Sequence, residues 1–288
     1  MEKIDALIIG AGPAGITSAI YLKRSNIKNI VVFNNSEGSL EGDHIIENLY
    51  GFESISGKDL YEKGIKQAER LGISVINENV IHVNYLWDSD EIEVVTTKNK
   101  YIGKSLVFAT GKKRATLKLE GIKELEGHGI SYCATCDGFF YKNKDVAVIG
   151  SKDFAFNEYD YLSNIVGNIN LLTNGEEIET SRNVINSKIV GICRDFGKIK
   201  VDFGDGNNLL VDGIFMALGN ASSVDFARQL GINITPTNDI LVDQNCKTNF
   251  DNIYAAGDCT GGILQISKAE YQGMVAGMEL AKYLRGRK

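Results

Sequence analysis

Residues 6–15 read Ala6-Leu7-Ile8-Ile9-Gly10-Ala11-Gly12-Pro13-Ala14-Gly15, an apolar run followed by three regularly spaced glycines. The apolar run predicts a buried parallel strand, and the residues from Pro13 to Ser25 predict the helix that follows it. A second apolar run, Ile30-Val31-Val32-Phe33, predicts the next strand of a βαβ unit. This pattern is typical of a dinucleotide-binding fold, in which glycines let the backbone turn tightly and approach a pyrophosphate.

The same layout recurs in the middle of the chain. Asp145-Val146-Ala147-Val148-Ile149-Gly150 predicts another strand that ends in glycine, and residues 154–166 predict another helix. Both halves close on similar tetrapeptides, Phe108-Ala109-Thr110-Gly111 and Met216-Ala217-Leu218-Gly219. We therefore expect an α/β protein with two Rossmann-like, three-layer ββα domains, the second inserted into the first. With chain crossings near Ala115 and Gln244, residues 1–114 and 244–288 form the first domain, and residues 115–243 form the inserted domain.

The first glycine loop has the features of a working dinucleotide site. It pairs with Ala255-Ala256-Gly257-Asp258 far downstream, where Asp258 would hydrogen-bond a ribityl or phosphate-linked hydroxyl of FAD. The acidic residue expected about 20 positions after such a loop is replaced by Asn34 or Asn35. An asparagine oxygen can still accept from a ribose hydroxyl, so we expect weaker recognition there and no loss of the cofactor.

A pair of cysteines lies between the two glycine loops, in Cys133-Ala134-Thr135-Cys136-Asp137. Cysteines at i and i+3 on the first turn of a helix share a face and can close a small disulfide. A zinc site needs a second ligand pair, which Cys193, Cys246 and Cys259 do not form, so no metal site is expected. Cys193 and Cys259 are expected to be small buried hydrophobes. The pattern therefore indicates a redox-active dithiol.

The segment from Gly129 to Phe140, Gly-Ile-Ser-Tyr-Cys-Ala-Thr-Cys-Asp-Gly-Phe-Phe, resembles the active site of the low-molecular-weight thioredoxin reductases. With the glycine loop and the Ala-Thr-Gly and Ala-Ala-Gly-Asp segments, the similarity covers nearly the whole chain. The resemblance implies a homodimer with FAD in each subunit and thioredoxin as the acceptor. It implies that Cys136 meets the flavin, that Cys133 attacks the substrate disulfide, and that Asp137 protonates the leaving thiolate.

The resemblance also extends to segments around the flavin ring. Asn48 belongs to a segment similar to one beside the ring, and Gln265-Ile266 would place backbone amides near its pyrimidine edge, although an ordinary helix start explains them equally well. The family's Gly-Gly-Gln-Leu is altered here to Glu37-Gly38-Ser39-Leu40. The complete set of implied FAD-binding residues is Gly10, Gly12, Pro13, Ala14, Gly15, Asn34, Asn48, Val80, Ala109, Thr110, Gly111, Gly257, Asp258, Gln265 and Ile266.

The second glycine loop departs from the pattern that binds NADPH. Lys152 takes the place of the second glycine, where its side chain occupies pyrophosphate space, and Asp153 adds negative charge. Thr173-Asn174-Gly175-Glu176-Glu177 replaces the basic cluster that would hold a 2′-phosphate. These losses resemble the pyridine-nucleotide-independent thioredoxin reductases, among them ferredoxin-linked flavoenzymes. The basic segment Lys112-Lys113-Arg114 is the candidate surface for an acidic ferredoxin, although a solvated turn is the simpler interpretation.

The sequence is compatible with other donors and acceptors. The donor could be NADPH in an atypical pose or a reduced deazaflavin, and the acceptor could be another redoxin or a small disulfide. A flavin-containing redox sensor without turnover is a further alternative.

Composition restricts the partners and the compartment. The net charge of −6 argues against nucleic acid, and no apolar run reaches the roughly 18 residues that span a bilayer. Because the first ten residues already form the strand that leads into the glycine loop, a cleaved leader would destroy that loop. We therefore expect a cytoplasmic protein.

Overall fold

The computed structural model describes residues 3–35, 38–40, 45–111, 117, 119, 121–125, 128–132, 134–219 and 222–287. The side chains of Ser39, Lys123, Thr135 and Cys136 fall outside this description. The chain divides into two compact units, residues 1–113 with 222–288 and residues 114–221. The second unit is thus inserted into the first.

The first unit carries two segments of the chain. Its elements before the insertion are β1 (Ala6–Ile9), α1 (Pro13–Arg24), β2 (Ile30–Asn34), β3 (Ile45–Ile46), β4 (Ile55–Ser56), α2 (Gly57–Arg70), β5 (Ser74–Asn77), β6 (Val80–Leu86), β7 (Glu91–Thr96), β8 (Lys100–Gly103) and β9 (Leu106–Phe108).

The second unit repeats the arrangement. Its elements are α3 (Ile122–Leu125), β10 (Ile130–Ser131), α4 (Ala134–Asp137), β11 (Asp145–Ile149), α5 (Asp153–Ser163), β12 (Asn168–Leu172), β13 (Val184–Ile185), β14 (Ile189–Asp195), β15 (Lys198–Phe203), β16 (Asn208–Val211) and β17 (Gly213–Met216). After it, the first unit adds α6 (Ser223–Leu230), β18 (Ile253–Ala255) and α7 (Ile266–Gly286).

Each unit is built on a five-stranded parallel sheet. The strand order is β18-β9-β1-β2-β5 in the first unit and β10-β17-β11-β12-β13 in the second. Each unit also has a three-stranded antiparallel sheet, β6-β7-β8 or β14-β15-β16. The predicted Rossmann-like α/β fold is confirmed.

Alternation along the central strands produces the three layers. In β11, Val146 and Val148 pack with α5, whereas Ala147 and Ile149 pack with the antiparallel sheet. In the first unit, Phe33 of β2 meets Tyr101 of β8 edge to face at 5.0 Å. Because side chains alternate across a parallel strand, each sheet is covered on both faces and its strands are continuously apolar.

The second chain crossing differs from the prediction. The chain returns to the first unit at Ser222, well before the expected Gln244, because α6 packs on the first unit. Phe226 stacks on Phe108 with ring centroids 6.3 Å apart, and the amide of Val83 donates to Gln229 over 3.4 Å. The inserted unit therefore ends at residue 221 and is shorter than the predicted 115–243.

The longest helix, α7, lies close against α1. A Cβ on Gly273 would lie 2.3 Å from the carbonyl oxygen of Ala14, and Ser18 Oγ donates to the carbonyl of Gly273 over 3.0 Å. This close packing fixes α7 beside the first glycine loop. No helix in the described part of the chain has the length and apolar character to cross a membrane.

Candidate functional site

The first glycine loop connects β1 to α1 at the carboxyl edge of its sheet. Gly10 has φ +112°, and a Cβ there would lie 2.2 Å from the carbonyl oxygen of Ala109. A Cβ on Gly15 would lie 1.9 Å from the carbonyl oxygen of Gly10. Both glycines are therefore required for backbone packing.

Gly12, unlike Gly10 and Gly15, is not required by backbone packing. It precedes Pro13, the first residue of α1, and a Cβ on Gly12 would meet no atom within 4 Å. The space in front of this position is open, and the first amides of α1 face it. A pyrophosphate fits such a cradle, because helix amides without intrahelical partners bind anions.

Two further predicted segments lie at the same edge. Ala109-Thr110-Gly111 follows β9, and the Thr110 hydroxyl accepts from the amide of Ser223 over 3.2 Å. Gly257-Asp258 follows β18, and a Cβ on Gly257 would lie 2.9 Å from the Cβ of Ala14. The fold thus brings three predicted segments, distant in sequence, around one edge of the sheet.

The loop that carries Asp258 is held by two residues of α7 that the sequence analysis did not identify. Lys268 Nζ donates to the carbonyls of Gly257 and Gly261 over 2.9 and 2.6 Å. Gln272 Oε1 accepts from the amide of Gly257 over 2.9 Å. Lys268 and Gln272 are four residues apart and therefore share a helix face. That spacing alone does not predict which loop their side chains contact.

Asn34 lines a polar cavity of about 490 Å³ at the ends of β2 and β5, shared with Asn35, Tyr61, Asn77, Glu78, Asn79 and Thr97. Its Nδ2 donates to Asn77 Oδ1 over 2.7 Å. Its Oδ1 is buried and has no hydrogen-bond partner among the described residues. Val80 begins β6 directly after this cavity and is buried. The unpartnered oxygen is an acceptor suited to a ribose hydroxyl.

Asn48 and Gln265 are brought together from opposite ends of the chain. Asn48 Nδ2 donates to Gln265 Oε1 over 3.0 Å, and Gln265 is the residue that precedes α7. Ile266, the first residue of α7, packs on the small apolar cluster of Leu40, Ile46, Leu49 and Ile55. The segment near Asn48 and the start of α7 therefore form one local structure.

The dithiol turn lies in the second unit, where α4 spans Ala134–Asp137. Cys133 and the side chain of Cys136 lie outside the described residues. Asp137 accepts from Ser131 Oγ over 2.7 Å, so the carboxylate predicted to be a general acid is held at the C-terminal end of the turn. At its N-terminal end, the amide of Ala134 donates to Glu158 Oε2 over 2.7 Å. Glu158 was missed, because only tertiary structure brings α5 to the turn.

The second glycine loop copies the first in its backbone. Gly150 donates to the carbonyl of Leu172 over 3.0 Å, as Gly10 does to that of Phe33 over 2.9 Å. A Cβ on Gly150 would lie 2.2 Å from the carbonyl oxygen of Ala217, the distance found at Gly10. Backbone packing therefore excludes a side chain at Gly150, as it does at Gly10.

Lys152 occupies the position that Gly12 has in the first loop. Both precede the first residue of a helix with extended backbone, and the Lys152 side chain is exposed. Beside it, Ser151 Oγ donates to Glu176 Oε2 over 2.6 Å. The Cβ of Lys152 and the carboxylate of Glu176 thus lie where a loop that binds a dinucleotide has open space and positive charge.

The other cysteines differ in exposure. Cys246 and Cys259 are buried, and burial raises the pKa of their thiols to about 11 and about 12. Cys193 is exposed on β14, so the expectation that it is buried was wrong. In β14, Ile189 and Ile192 are buried, whereas Cys193 and the following Arg194 are exposed.

Comparison with known proteins identifies the fold and its chemistry. The family described as pyridine nucleotide-disulphide oxidoreductase matches residues 4–183 and 174–273. The chain belongs to this family. A thioredoxin reductase of Listeria monocytogenes is 32% identical, covering 98% of this chain and 95% of the relative.

Two solved structures of the family are similar over nearly their whole length. An atypical thioredoxin reductase from Desulfovibrio vulgaris Hildenborough has a TM-score of 0.92 at 32% identity, with 99% of each chain covered. A ferredoxin-flavin thioredoxin reductase from Clostridium acetobutylicum has a TM-score of 0.74 at 30% identity, again with 99% of each chain covered. Thioredoxin reductases of this family are FAD flavoproteins, so the chain is a flavin disulfide reductase and FAD is its cofactor.

Proposed function

We propose that this chain is a thioredoxin reductase that receives electrons from reduced ferredoxin or a similar low-potential protein, and not from NADPH. The observation that carries the proposal is the second loop, where Ser151 is bonded to Glu176 beside Lys152. A dinucleotide placed there would meet a fixed Cβ and a carboxylate in place of open space and basic groups.

The first unit supplies the FAD site in this proposal. Gly12, Pro13 and the first amides of α1 would hold the pyrophosphate, with Gly10, Ala14 and Gly15 shaping the turn. Asn34 and Val80 would contact the adenosine, and Asp258 would hydrogen-bond the ribityl chain. The remaining contacts would come from Ala109, Thr110, Gly111, Gly257, Asn48, Gln265 and Ile266.

Bound FAD supplies a centre that collects electrons and passes a pair to a disulfide. The residues of the second unit do the rest. Cys136 receives the pair, and the thiolate of Cys133 attacks the thioredoxin disulfide to form a mixed disulfide. Cys136 then attacks the mixed disulfide between Cys133 and thioredoxin. This releases thioredoxin with two thiols and re-forms the Cys133–Cys136 disulfide. Asp137, oriented by Ser131, protonates the leaving thiolate.

The surface beside the dithiol suits a protein acceptor. Phe139 and Phe140 follow the turn and are 70% and 73% exposed. Large adjacent aromatic side chains in water are a feature of protein contact sites. This favours thioredoxin over a small disulfide compound.

The energetics allow ferredoxin as the donor. Thioredoxin has a potential near −270 mV, and plant-type ferredoxins lie near −400 mV. For two electrons the difference of about 130 mV corresponds to roughly 6 kcal/mol. The likeness to a solved ferredoxin-flavin thioredoxin reductase supports the same donor class. The basic segment proposed for ferredoxin docking, residues 112–114, lies outside the described residues.

The proposal includes a homodimer, as the resemblance implies, and a cytoplasmic location, as the position of the first strand and glycine loop led us to expect. The deciding experiment is an anaerobic visible spectrum of the purified holoenzyme with each donor in turn. We expect reduced ferredoxin to bleach the flavin and to support thioredoxin reduction, whereas NADPH leaves the flavin oxidised. Rapid bleaching by NADPH would identify NADPH as the donor and contradict the proposal. Bleaching by a reduced deazaflavin and not by ferredoxin would contradict it as well.

A further inference from the structure

Glu158 is the most buried acidic residue in the described part of the chain, with 2% of its surface exposed. It lies in the middle of α5, the helix that follows the altered second loop. An ionised carboxylate is costly to remove from water, and such a group persists only where it is well hydrogen-bonded. Its surroundings therefore need an explanation.

The carboxylate is directed at the dithiol turn. Its Oε2 accepts from the amide of Ala134 over 2.7 Å, and Ala134 is completely buried. Ala134 stands between Cys133 and Cys136, so the amide that Glu158 binds belongs to the peptide joining Cys133 to Ala134. Glu158 thus contacts the backbone of the redox-active motif directly.

Capping alone does not account for a glutamate at this place. Asp225, also buried, forms a local capping box with Ser222 and lies near Arg228 at 3.8 Å. Glu158 reaches 24 residues back along the chain to a different element. A neutral side chain could accept from the same amide without placing a negative charge next to the peptide that joins Cys133 to Ala134.

We propose that Glu158 is a positioning residue that holds the dithiol turn and makes the Cys133–Cys136 pair a stronger reductant. The inference rests on the proposed redox role of that pair. Reduction of the disulfide takes two electrons and two protons and yields two thiols, one of which ionises to a thiolate. A carboxylate nearby disfavours the thiolate, which makes the reduced pair less stable and more ready to give electrons to thioredoxin.

The test compares three variants of the FAD-loaded enzyme with the wild type. Glu158→Gln keeps an acceptor and removes the charge, Glu158→Asp keeps the charge on a shorter side chain, and Glu179→Gln removes an exposed charge elsewhere in the unit. Each is equilibrated anaerobically with oxidised and reduced dithiothreitol. The thiols are then trapped in acid, alkylated and counted by mass spectrometry.

At about pH 9, where the thiolate is populated, and at a fixed buffer ratio, we expect Glu158→Gln to raise the dithiol-to-disulfide ratio by up to about tenfold, a shift of about 30 mV for two electrons. Glu158→Asp and Glu179→Gln are expected to stay near the wild type. An unchanged ratio in a folded Glu158→Gln enzyme overturns the inference. So does an equal shift in Glu158→Asp, because that result indicates packing without an effect of charge.

A second measurement needs no variant. In the reduced wild-type enzyme, the pH dependence of alkylation of the more reactive dithiol cysteine should report a thiolate that forms at or above the ordinary pKa of about 8.5. A thiolate already formed below pH 7 contradicts the inference. Failure of the proposed function looks different, since loss of either cysteine would then leave thioredoxin reduction intact.

Discussion

Ser151 Oγ lies 2.6 Å from Glu176 Oε2, which joins the altered glycine loop to the turn after the next strand. In the family's NADPH site, these two segments hold the pyrophosphate and the 2′-phosphate. Here they are bonded to each other through a carboxylate. The contact occupies the hydrogen-bonding groups that a coenzyme needs and adds a negative charge.

The first prediction concerns coenzyme affinity. The double variant Lys152→Gly, Glu176→Arg should bind NADP⁺ at least about tenfold more tightly than the wild type, a gain of about 1.4 kcal/mol. The glycine removes the Cβ, and the guanidinium offers a bidentate phosphate contact. Isothermal titration calorimetry measures the affinities, with Glu179→Arg as the control for added charge. Micromolar binding of NADP⁺ by the wild type would refute the interpretation of this loop.

The second prediction concerns the dithiol. Cys133→Ser and Cys136→Ser should each lower thioredoxin reduction by at least about a thousandfold, because a hydroxyl cannot take part in thiol–disulfide exchange. FAD should remain bound, since its site lies in the other unit. Steady-state turnover and the flavin-to-protein ratio are the measurements. Cys193→Ser, at an exposed cysteine outside the motif, is the control and should retain activity.

The third prediction separates two glycines of the first loop. Gly12→Ala should fold normally but bind FAD at least about tenfold more weakly, because its methyl group enters only the open cradle. Gly15→Ala should lower the free energy of unfolding by more than about 3 kcal/mol, because its Cβ would lie 1.9 Å from a backbone oxygen. Thermal unfolding of the apoprotein and FAD titration give the two quantities. Equal effects of the two substitutions on the free energy of unfolding and on FAD affinity would contradict these separate roles for Gly12 and Gly15.

The fourth prediction concerns alkaline pH. Burial raises the pKa of Cys259 to about 12 and that of Tyr254 to about 12. A raised folded-state pKa stabilises the fold fully below the unfolded-state value, and this contribution is lost as pH rises through the folded-state value. The free energy of unfolding should therefore decline from about pH 9 to about pH 12.

Urea unfolding at a series of pH values checks this decline. Each such group contributes a slope of up to about 1.4 kcal/mol per pH unit. Cys259→Ala should therefore show a shallower decline than the wild type. An unchanged slope in that variant would show that Cys259 does not take part.

Local sequence patterns were sufficient to predict much of the fold and several parts of the candidate site. The apolar runs at Ala6–Ile9 and Asp145–Ile149, each followed by a glycine turn, predicted the two parallel sheets. A buried strand and a tight turn are specified by the residues that form them. The dithiol and the loss of glycine at Lys152 were equally visible, because each depends on residue identity at a fixed spacing.

Tertiary structure decided where separate segments meet. The bond from Asn48 to Gln265 spans 217 positions, and that from Ala134 to Glu158 joins two different elements. The return of the chain at Ser222 depended on α6 packing against Phe108, although the capping box at Ser222 and Asp225 could have revealed the helix itself. Strand order and helix packing set such contacts, and these arise from burying apolar surface across the whole unit, which no local stretch of sequence encodes.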